Sequence, residues 1–394
     1  MADLEAFREE TRRWLAANAP AAMRTPPRSP EDLCWGGRKS NYPDDVRRWL
    51  AAMAERGWTA PTWPREYGGG GLSKQEAKVL AEEMAKLRVR PPLTGFGLTM
   101  IGPLLLQEGS ETLKREHLPP IVRGEIRWCQ GYSEPGAGSD LASLQTKAMR
   151  DGEHFVVNGQ KVWTSYGDKA DWMFILVRTG FEGQKHAGIT FLLMDMETPG
   201  VSVRPIKLIS GSSPFCETFL TDVRVPVRNV VGQANGGWLI AKALLGHERT
   251  MIADVFKERD DAKRLLDLAR RHVGERDGRI ADPVVRDRVA QLEMDQACLD
   301  LTLARSRDNA KAGHKPGPES SIFKLYGTEL NQRRRDLMIS ILGPQALGWE
   351  GPGFEPSELS ITRDWLRSRG NSIEGGTSEV QLNIIAKRVL ALPD

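Results

Sequence analysis

Cysteine is scarce in this sequence, and what there is lies scattered: Cys34, Cys129, Cys216 and Cys298 form no Cys-x-x-Cys pair. That pattern indicates neither a zinc site nor a disulfide framework, so no metal ligand is expected and a reducing, cytoplasmic home is. An excess of one charge is missing too. The 55 basic residues against 52 acidic ones leave a net +3, and nucleic acid as a partner would need a clustered basic surface. No apolar run approaches the length of a membrane span. Met1-Ala2-Asp3-Leu4-Glu5 has neither the basic n-region nor the apolar h-region of a signal peptide. No internal repeat is present. What remains is a 394-residue chain, 40% hydrophobic and 27% charged, enough for two or three soluble globular domains with a large core.

Up to about Ile126 the pattern is helical. Leu4, Phe7, Trp14 and Leu15 recur at helical spacing until Ala19-Pro20, and Val46, Trp49, Leu50 and Met53 repeat it between Asp44 and Gly57, behind Pro43. Ser73-Lys74-Gln75-Glu76 is a capping box that opens another helix. Thr25 to Tyr42, rich in Pro, Gly and charge, reads as a long loop. After Trp128 the period changes. The runs His154–Val157, Trp172–Val177, Gly188–Leu193, Val201–Val203 and Glu217–Leu220 are short, apolar and parted by Gly, Asp and Pro, which predicts strands closing into a small barrel or sandwich. From Gly236-Gly237 the helical period returns, with Asp282-Pro283 as an N-cap followed by proline at the first helical position. Helices, then strands, then helices predict an α+β multi-domain chain, divided as 1–126, 127–233 and 234–394.

Two polar, glycine-rich segments are a poor way to build a core. They are Tyr132-Ser133-Glu134-Pro135-Gly136-Ala137-Gly138-Ser139-Asp140 and Asn158-Gly159-Gln160-Lys161-Val162-Trp163-Thr164-Ser165. They suit a flat, phosphorylated cofactor: glycines admit close backbone approach, hydroxyls supply adaptable hydrogen bonds, and an indole can lie on a ring system. Taken singly, Trp163 reads as a packed core residue, Ser133 and Ser139 as turn hydroxyls, and Thr377 in Gly375-Gly376-Thr377-Ser378-Glu379-Val380-Gln381 as a plain helix N-cap.

Together and in this order, the three segments resemble the flavin-binding signatures of the acyl-CoA dehydrogenase family, and the resemblance spans essentially the whole chain. It implies an N-terminal helical domain, a middle β-barrel and a C-terminal four-helix bundle, with FAD between the last two. By this resemblance Gln130, Tyr132 and Ser133 contact the isoalloxazine edge, and Ser139 sits near the pyrophosphate and the thioester end. Trp163 stacks on the flavin, and Ser165 bonds near its reactive nitrogen, where the family more often has Thr. Thr377 and Glu379, at a helix N-terminus, serve the cofactor's phosphates. Two family features are weaker here. Arg270-Arg271-His272-Val273-Gly274 only partly echoes an Arg-x-x-Phe-Gly contact, and Gly343-Pro344-Gln345-Ala346-Leu347-Gly348 replaces a Gly-Gly-x-Gly turn, so no contact to the AMP half is assigned.

Desaturating an acyl thioester needs a carboxylate to take the α-proton. The commonest family members carry it just before Gly-Thr of the last motif, but that position is Gly375 here, and Glu374 is one residue early. A second family arrangement puts the base on a helix in a Glu-Arg dipeptide, which this chain has as Glu248-Arg249. Spacing agrees: Leu244, Leu245, Glu248, Met251, Ile252 and Val255 share one helical face, where a lone carboxylate is desolvated and its pKa raised. The plainer alternative is a buried Glu paired with a structural Arg. By resemblance Glu248 is the base, Arg249 supports CoA, and the Gly375 N–H holds the substrate carbonyl.

The expected activity is an acyl-CoA dehydrogenase with FAD, acting on a CH–CH bond and passing electrons to an electron-transfer flavoprotein. The ending from Gly376 to Leu390 looks like the family branch acting on bulky and steroid-derived thioesters. Its rivals are an acyl-CoA oxidase of the same fold, an FAD-sharing subunit of a heteromeric dehydrogenase, and a flavin monooxygenase or nitroalkane-oxidising enzyme. Resemblance also implies a homotetramer. Neither nucleic acid nor a membrane is an expected partner.

Overall fold

The computed structural model describes residues 2–25, 27, 32–180, 182–244, 259–313 and 317–393. They fall into two compact units, residues 1–206 with 214–245 and residues 207–213 with 246–394.

The first unit begins with α1 (Ala2–Asn18), α2 (Asp44–Glu55) and α3 (Lys74–Lys86). The predicted capping box is present: Glu76 N donates to Ser73 Oγ at 3.2 Å and Ser73 N to Glu76 Oε2 at 2.8 Å. These helices share a core of Leu15, Trp49, Met53, Trp58 and Leu80, of which Leu15, Trp49 and Met53 belong to the apolar stripes read from sequence. Across the α1–α3 seam the buried Glu83 accepts from Arg8 at 2.8 Å, Arg12 at 2.9 Å and Lys86 at 2.7 Å. The Arg12 guanidinium leads in holding the Glu83 carboxyl down at about 2. Helices α4 (Gly102–Glu108) and α5 (Glu111–Val122) follow. Between α1 and α2, the described residues 32–42 form a loop with no regular element longer than a turn; the Tyr42 hydroxyl folds it by accepting from Trp35 N at 2.9 Å and Gly36 N at 3.1 Å.

Seven strands then form one curled sheet, the expected β domain. They are β1 (Trp128–Gly131), β2 (Lys147–Asp151), β3 (His154–Ser165), β4 (Trp172–Arg178), β5 (Ile189–Asp195), β6 (Val201–Ile206) and β7 (Phe215–Pro226). The order is β1-β4-β2-β3-β7-β6, with β5 also paired to β4. The unbroken apolar runs of β4 and β5 are buried on both faces. Met173, Ile175 and Val177 join Leu192 and Met194 in the sheet's core. On the other face Phe174 stacks on Phe191 at 6.1 Å and meets Phe96 at 6.5 Å, so the N-terminal segment covers that side. Strands β3 and β7 run twelve residues each, far beyond the four-residue apolar cores visible in sequence.

In the second unit α7 (Arg259–Val273), α8 (Pro283–Lys311), α9 (Ser320–Leu342), α10 (Pro356–Ser368) and the short α11 (Ser378–Ile384) form a helical bundle; α6 is the helical stretch 237–244 of the first unit. Helix α9 is central, packing against α7, α8, α10 and α11. Leu265, Leu292, Phe323, Leu330, Met338 and Ile361 share its core. Asp282 caps α8 as predicted, its carboxylate accepting from Val284 N at 2.7 Å and Val285 N at 3.0 Å. The two-residue strands β8 (Glu275–Arg276) and β9 (Arg279–Ile280) turn through Asp277-Gly278, both at positive φ, a type I′ hairpin. Of the four cysteines only Cys298 is exposed; it lies on α8 with Met294 and Leu301, four residues before it and three after, also exposed.

Candidate functional site

The first glycine-rich segment leaves the end of β1. Glu134 N donates to Ala137 O at 2.8 Å and Ala137 N to Glu134 O at 3.0 Å, so Glu134-Pro135-Gly136-Ala137 is a tight turn. Glu134 is also the loop's anchor. Its carboxylate accepts from Gln145 N at 2.6 Å, Thr146 N at 2.9 Å and Lys161 Nζ at 2.7 Å. Lys161, fully buried on β3, donates again to Tyr132 O at 3.1 Å. Burial pushes the Lys161 ammonium down to about 8 while Glu134 pulls it up. Burial works against ionising Glu134 as well, yet Lys161 and the N–H donors outweigh it and hold the carboxyl below its ordinary range. The pair therefore stands charged at neutral pH. Beyond the turn, a Cβ on Gly136 or Gly138 would meet nothing within 4 Å, and Ser139 is exposed: this face of the loop is open.

Strand β3 runs behind the same loop, with Val162 N donating to Ser133 O at 2.9 Å. Its pairing with β7 then slips: Lys161 faces Thr218 and Thr164 faces Cys216, so Val162 and Trp163 together oppose one residue, a β-bulge. Trp163 sits in that bulge at φ 61°, 54% exposed. A bulky residue held in the left-handed region costs about 1–2 kcal/mol. Its ring meets that of Phe215 at a right angle, centroids 5.9 Å apart, and more than half of the residue stays open to a ligand. Gln130 is half-buried at the end of β1, Tyr132 is buried, and Ser133 and Ser165 are half-buried. The fold thus brings Gln130, Tyr132, Ser133, Trp163 and Ser165 to neighbouring ends of β1 and β3, with Ser139 farther along the open loop. An exposed, strained indole beside an open glycine turn and several hydroxyls fits a flat phosphorylated ring system.

The last motif lies in the second unit. Gly375 and Gly376 have φ of 64° and 95°, and a Cβ at 376 would stand 2.5 Å from Gln381 Nε2. The buried Lys324 of α9 secures this turn from behind, its Nζ donating to Gly376 O at 2.6 Å and Asn371 O at 3.0 Å. The buried Gln381 adds Nε2 bonds to Gly375 O at 3.1 Å and Gly376 O at 3.3 Å. Among the described residues nothing accepts from the Gly375 N–H. Thr377 caps α11 by accepting from Val380 N at 3.2 Å. The backbone N–H of Glu379, and then the Thr377 hydroxyl, hold the Glu379 carboxyl below its ordinary value. Glu374 is engaged, with Arg367 at 2.6 Å and Asn371 Nδ2 at 2.6 Å. Glu248 and Arg249 lie outside the described residues.

Sequence reasoning assigned no role to Glu134, Lys161, Lys324 or Gln381. Lys324 did leave a signal, a charge inside the apolar stretch Ile322-Phe323-Lys324-Leu325-Tyr326 at the start of α9, and the argument applied to Glu248 would have found it.

The acyl-CoA dehydrogenase N-terminal domain matches residues 1–125, the middle domain residues 129–223 and the C-terminal domain residues 235–390. The chain is similar to acyl-CoA dehydrogenase IpdE1 of Mycobacterium tuberculosis, 35% identical over 396 residues, covering 100% of this chain and 99% of the relative. Among solved structures it resembles the Tcur3481-Tcur3483 steroid ACAD, with a TM-score of 0.77 and 30% identity, covering 100% of this chain and 98% of that one. It also resembles the ChsE4-ChsE5 complex from Mycobacterium tuberculosis, with a TM-score of 0.75 and 31% identity, at 100% and 98% coverage.

Proposed function

The chain belongs to the acyl-CoA dehydrogenase family, and from that premise we propose an FAD-dependent dehydrogenase that introduces a Cα=Cβ double bond into an acyl-CoA thioester, with an electron-transfer flavoprotein as electron acceptor. Membership makes it an oxidoreductase acting on a CH–CH bond, in a family of flavoproteins. The observation that carries the choice of FAD is Trp163, a solvent-facing indole kept at positive φ by a bulge, beside a glycine turn with open space over it. Gln130, Tyr132, Ser133 and Ser165 are assigned to the ring edge, Ser139 to the pyrophosphate and thioester end, and Thr377 and Glu379 to the phosphates.

FAD, when bound, supplies the acceptor for the β-hydrogen and its electron pair. Glu248 takes the α-proton, and the reading gains support from Glu374, the carboxylate directly before Gly375, being tied to Arg367 and Asn371. The Gly375 N–H polarises the thioester carbonyl and stabilises the enolate-like charge as the proton leaves. Arg249 supports CoA. A bulky, steroid-derived acyl group is the favoured substrate class, because one of the similar structures is a steroid ACAD. A second reading has one specific support: two of the similar structures are two-protein assemblies, which favours a heteromer over a homotetramer.

The test is spectroscopic. Purified alone, the chain is expected to bind FAD, turn yellow and bleach with a bulky acyl-CoA; Glu248→Gln should stay yellow and fail to bleach. Retained bleaching in that variant sinks the base assignment. A colourless chain that takes up FAD only with a second polypeptide selects the heteromer, and peroxide release during turnover selects an oxidase.

A further inference from the structure

Between the 32–42 loop and the turn after β3, both in the first unit, lies a cavity of about 200 Å³. Its walls include Trp35, Tyr42 and Tyr166 and three cationic side chains, Lys39, Arg127 and Lys169. Arg127 is the informative one. It is nine-tenths buried, at 9% exposed. Its guanidinium lies 4.8 Å from the Trp35 ring and 5.0 Å from the Tyr166 ring. The main chain fixes its place, Arg127 N donating to Asp171 Oδ2 at 2.7 Å and Arg127 O accepting from Asp171 N and Trp172 N. Yet among the described residues no carboxylate comes within ion-pair distance of the guanidinium and no oxygen accepts from it.

Several other buried charges of this unit are matched. Glu83 has three cations, Glu134 and Lys161 have each other, and Arg178 donates to the carbonyls of Ala142, Leu144, Lys185 and Ala187. A buried guanidinium supported only by ring faces keeps five N–H donors in one plane, a fork that matches the two oxygens of a carboxylate or phosphate. The acid in the cavity wall, Asp168, is exposed and accepts the Cys216 thiol at 3.6 Å, so three positive groups face one negative one. The volume lies below the roughly 300 Å³ at which pockets for drug-sized ligands begin, so the ligand is small.

We propose that this cavity is a binding site for a small oxyanion, a carboxylate or a phosphate, gripped by Arg127 with Lys39 and Lys169 contributing charge from its exposed rim. It shares no residue with those assigned to FAD and the thioester, although Tyr166 directly follows Ser165. Titrating sodium acetate and, separately, sodium phosphate into the full chain at matched chloride ionic strength should give saturable heat for one of them, and the stronger binder identifies the class. The same anion should raise the unfolding temperature of the wild-type chain. Arg127→Met should weaken binding by more than about tenfold, the worth of one charge-assisted hydrogen bond, and abolish the anion's effect on unfolding. Should Arg127→Met fail to fold, the exposed pair Lys39→Ala/Lys169→Ala gives the same reading, with weaker binding expected. No saturable heat with either anion on the wild-type chain overturns the site, and so does unchanged affinity in these variants. A purely structural Arg127 would shift the unfolding temperature of its variant and leave the anion's effect intact.

Discussion

Two buried lysines each stand behind one of the glycine turns, and they hold them by different means. Lys161, in the sheet, reaches the carboxylate of Glu134, which in turn gathers two backbone N–H groups from residues 145 and 146. Lys324, in the bundle, has among the described residues only the carbonyls of Asn371 and Gly376 as acceptors. The first arrangement places a full charge against a full charge away from water. The second places a charge against dipoles, and burial leads in pulling Lys324 below its ordinary value. An ion-paired anchor is costly to break from one side only, because the abandoned partner stays buried and charged. A carbonyl-bound anchor leaves neutral groups behind and is cheaper to lose.

The largest effect should come from Lys161→Met, which strands Glu134. Chemical denaturation is expected to show a loss of about 3–5 kcal/mol. The double variant Lys161→Met/Glu134→Gln should recover most of it, and equal losses in single and double variants would erase the contrast. Lys324→Met should cost less, about 1.5–3 kcal/mol, through charge-assisted bonds to neutral acceptors. If it matched the loss from Lys161→Met, burial rather than the partner's charge would be in command.

A pH series sharpens the same comparison. Lys161 sits at about 8 in the fold against an ordinary 10.5. Between those values the unfolded chain holds a proton that the folded chain has released, so this residue makes stability rise with pH across that window. The stability of the wild-type chain relative to Lys161→Met should therefore climb from pH 8 to 10.5, and a flat or falling difference would contradict the assignment. The smallest stability change belongs to Trp163→Gly. Relieving the left-handed backbone and losing the Phe215 contact should nearly cancel, leaving unfolding within about 1 kcal/mol of wild type while FAD affinity falls. A large destabilisation would mean that Trp163 is a packing residue after all.

The helix ends were legible because caps are local: Ser73 with Glu76 and Asp282 with Pro283 carry their own signal within four residues. The strands were half legible. Lys147–Asp151 has one buried residue in five, and the middle of β3 reads Asn158-Gly159-Gln160-Lys161, so the apolar alternation that marks a strand is interrupted where pairing continues. The residues assigned to the cofactor could be picked out because several hydroxyls and glycines crowd into short motifs. Their supports could not. Glu134 and Lys161 are 27 residues apart and meet only when β3 folds behind the loop, and Lys324 bonds main-chain carbonyls, which every residue has and no sequence displays.

Cys298 offers a practical handle. Three of the four thiols are shut inside, so an alkylating probe should attach at a single point, on the same side of α8 as Met294 and Leu301. The labelling rate then becomes a gauge of whether that flank is bare in solution or shielded when chains assemble, readable without any substrate at all.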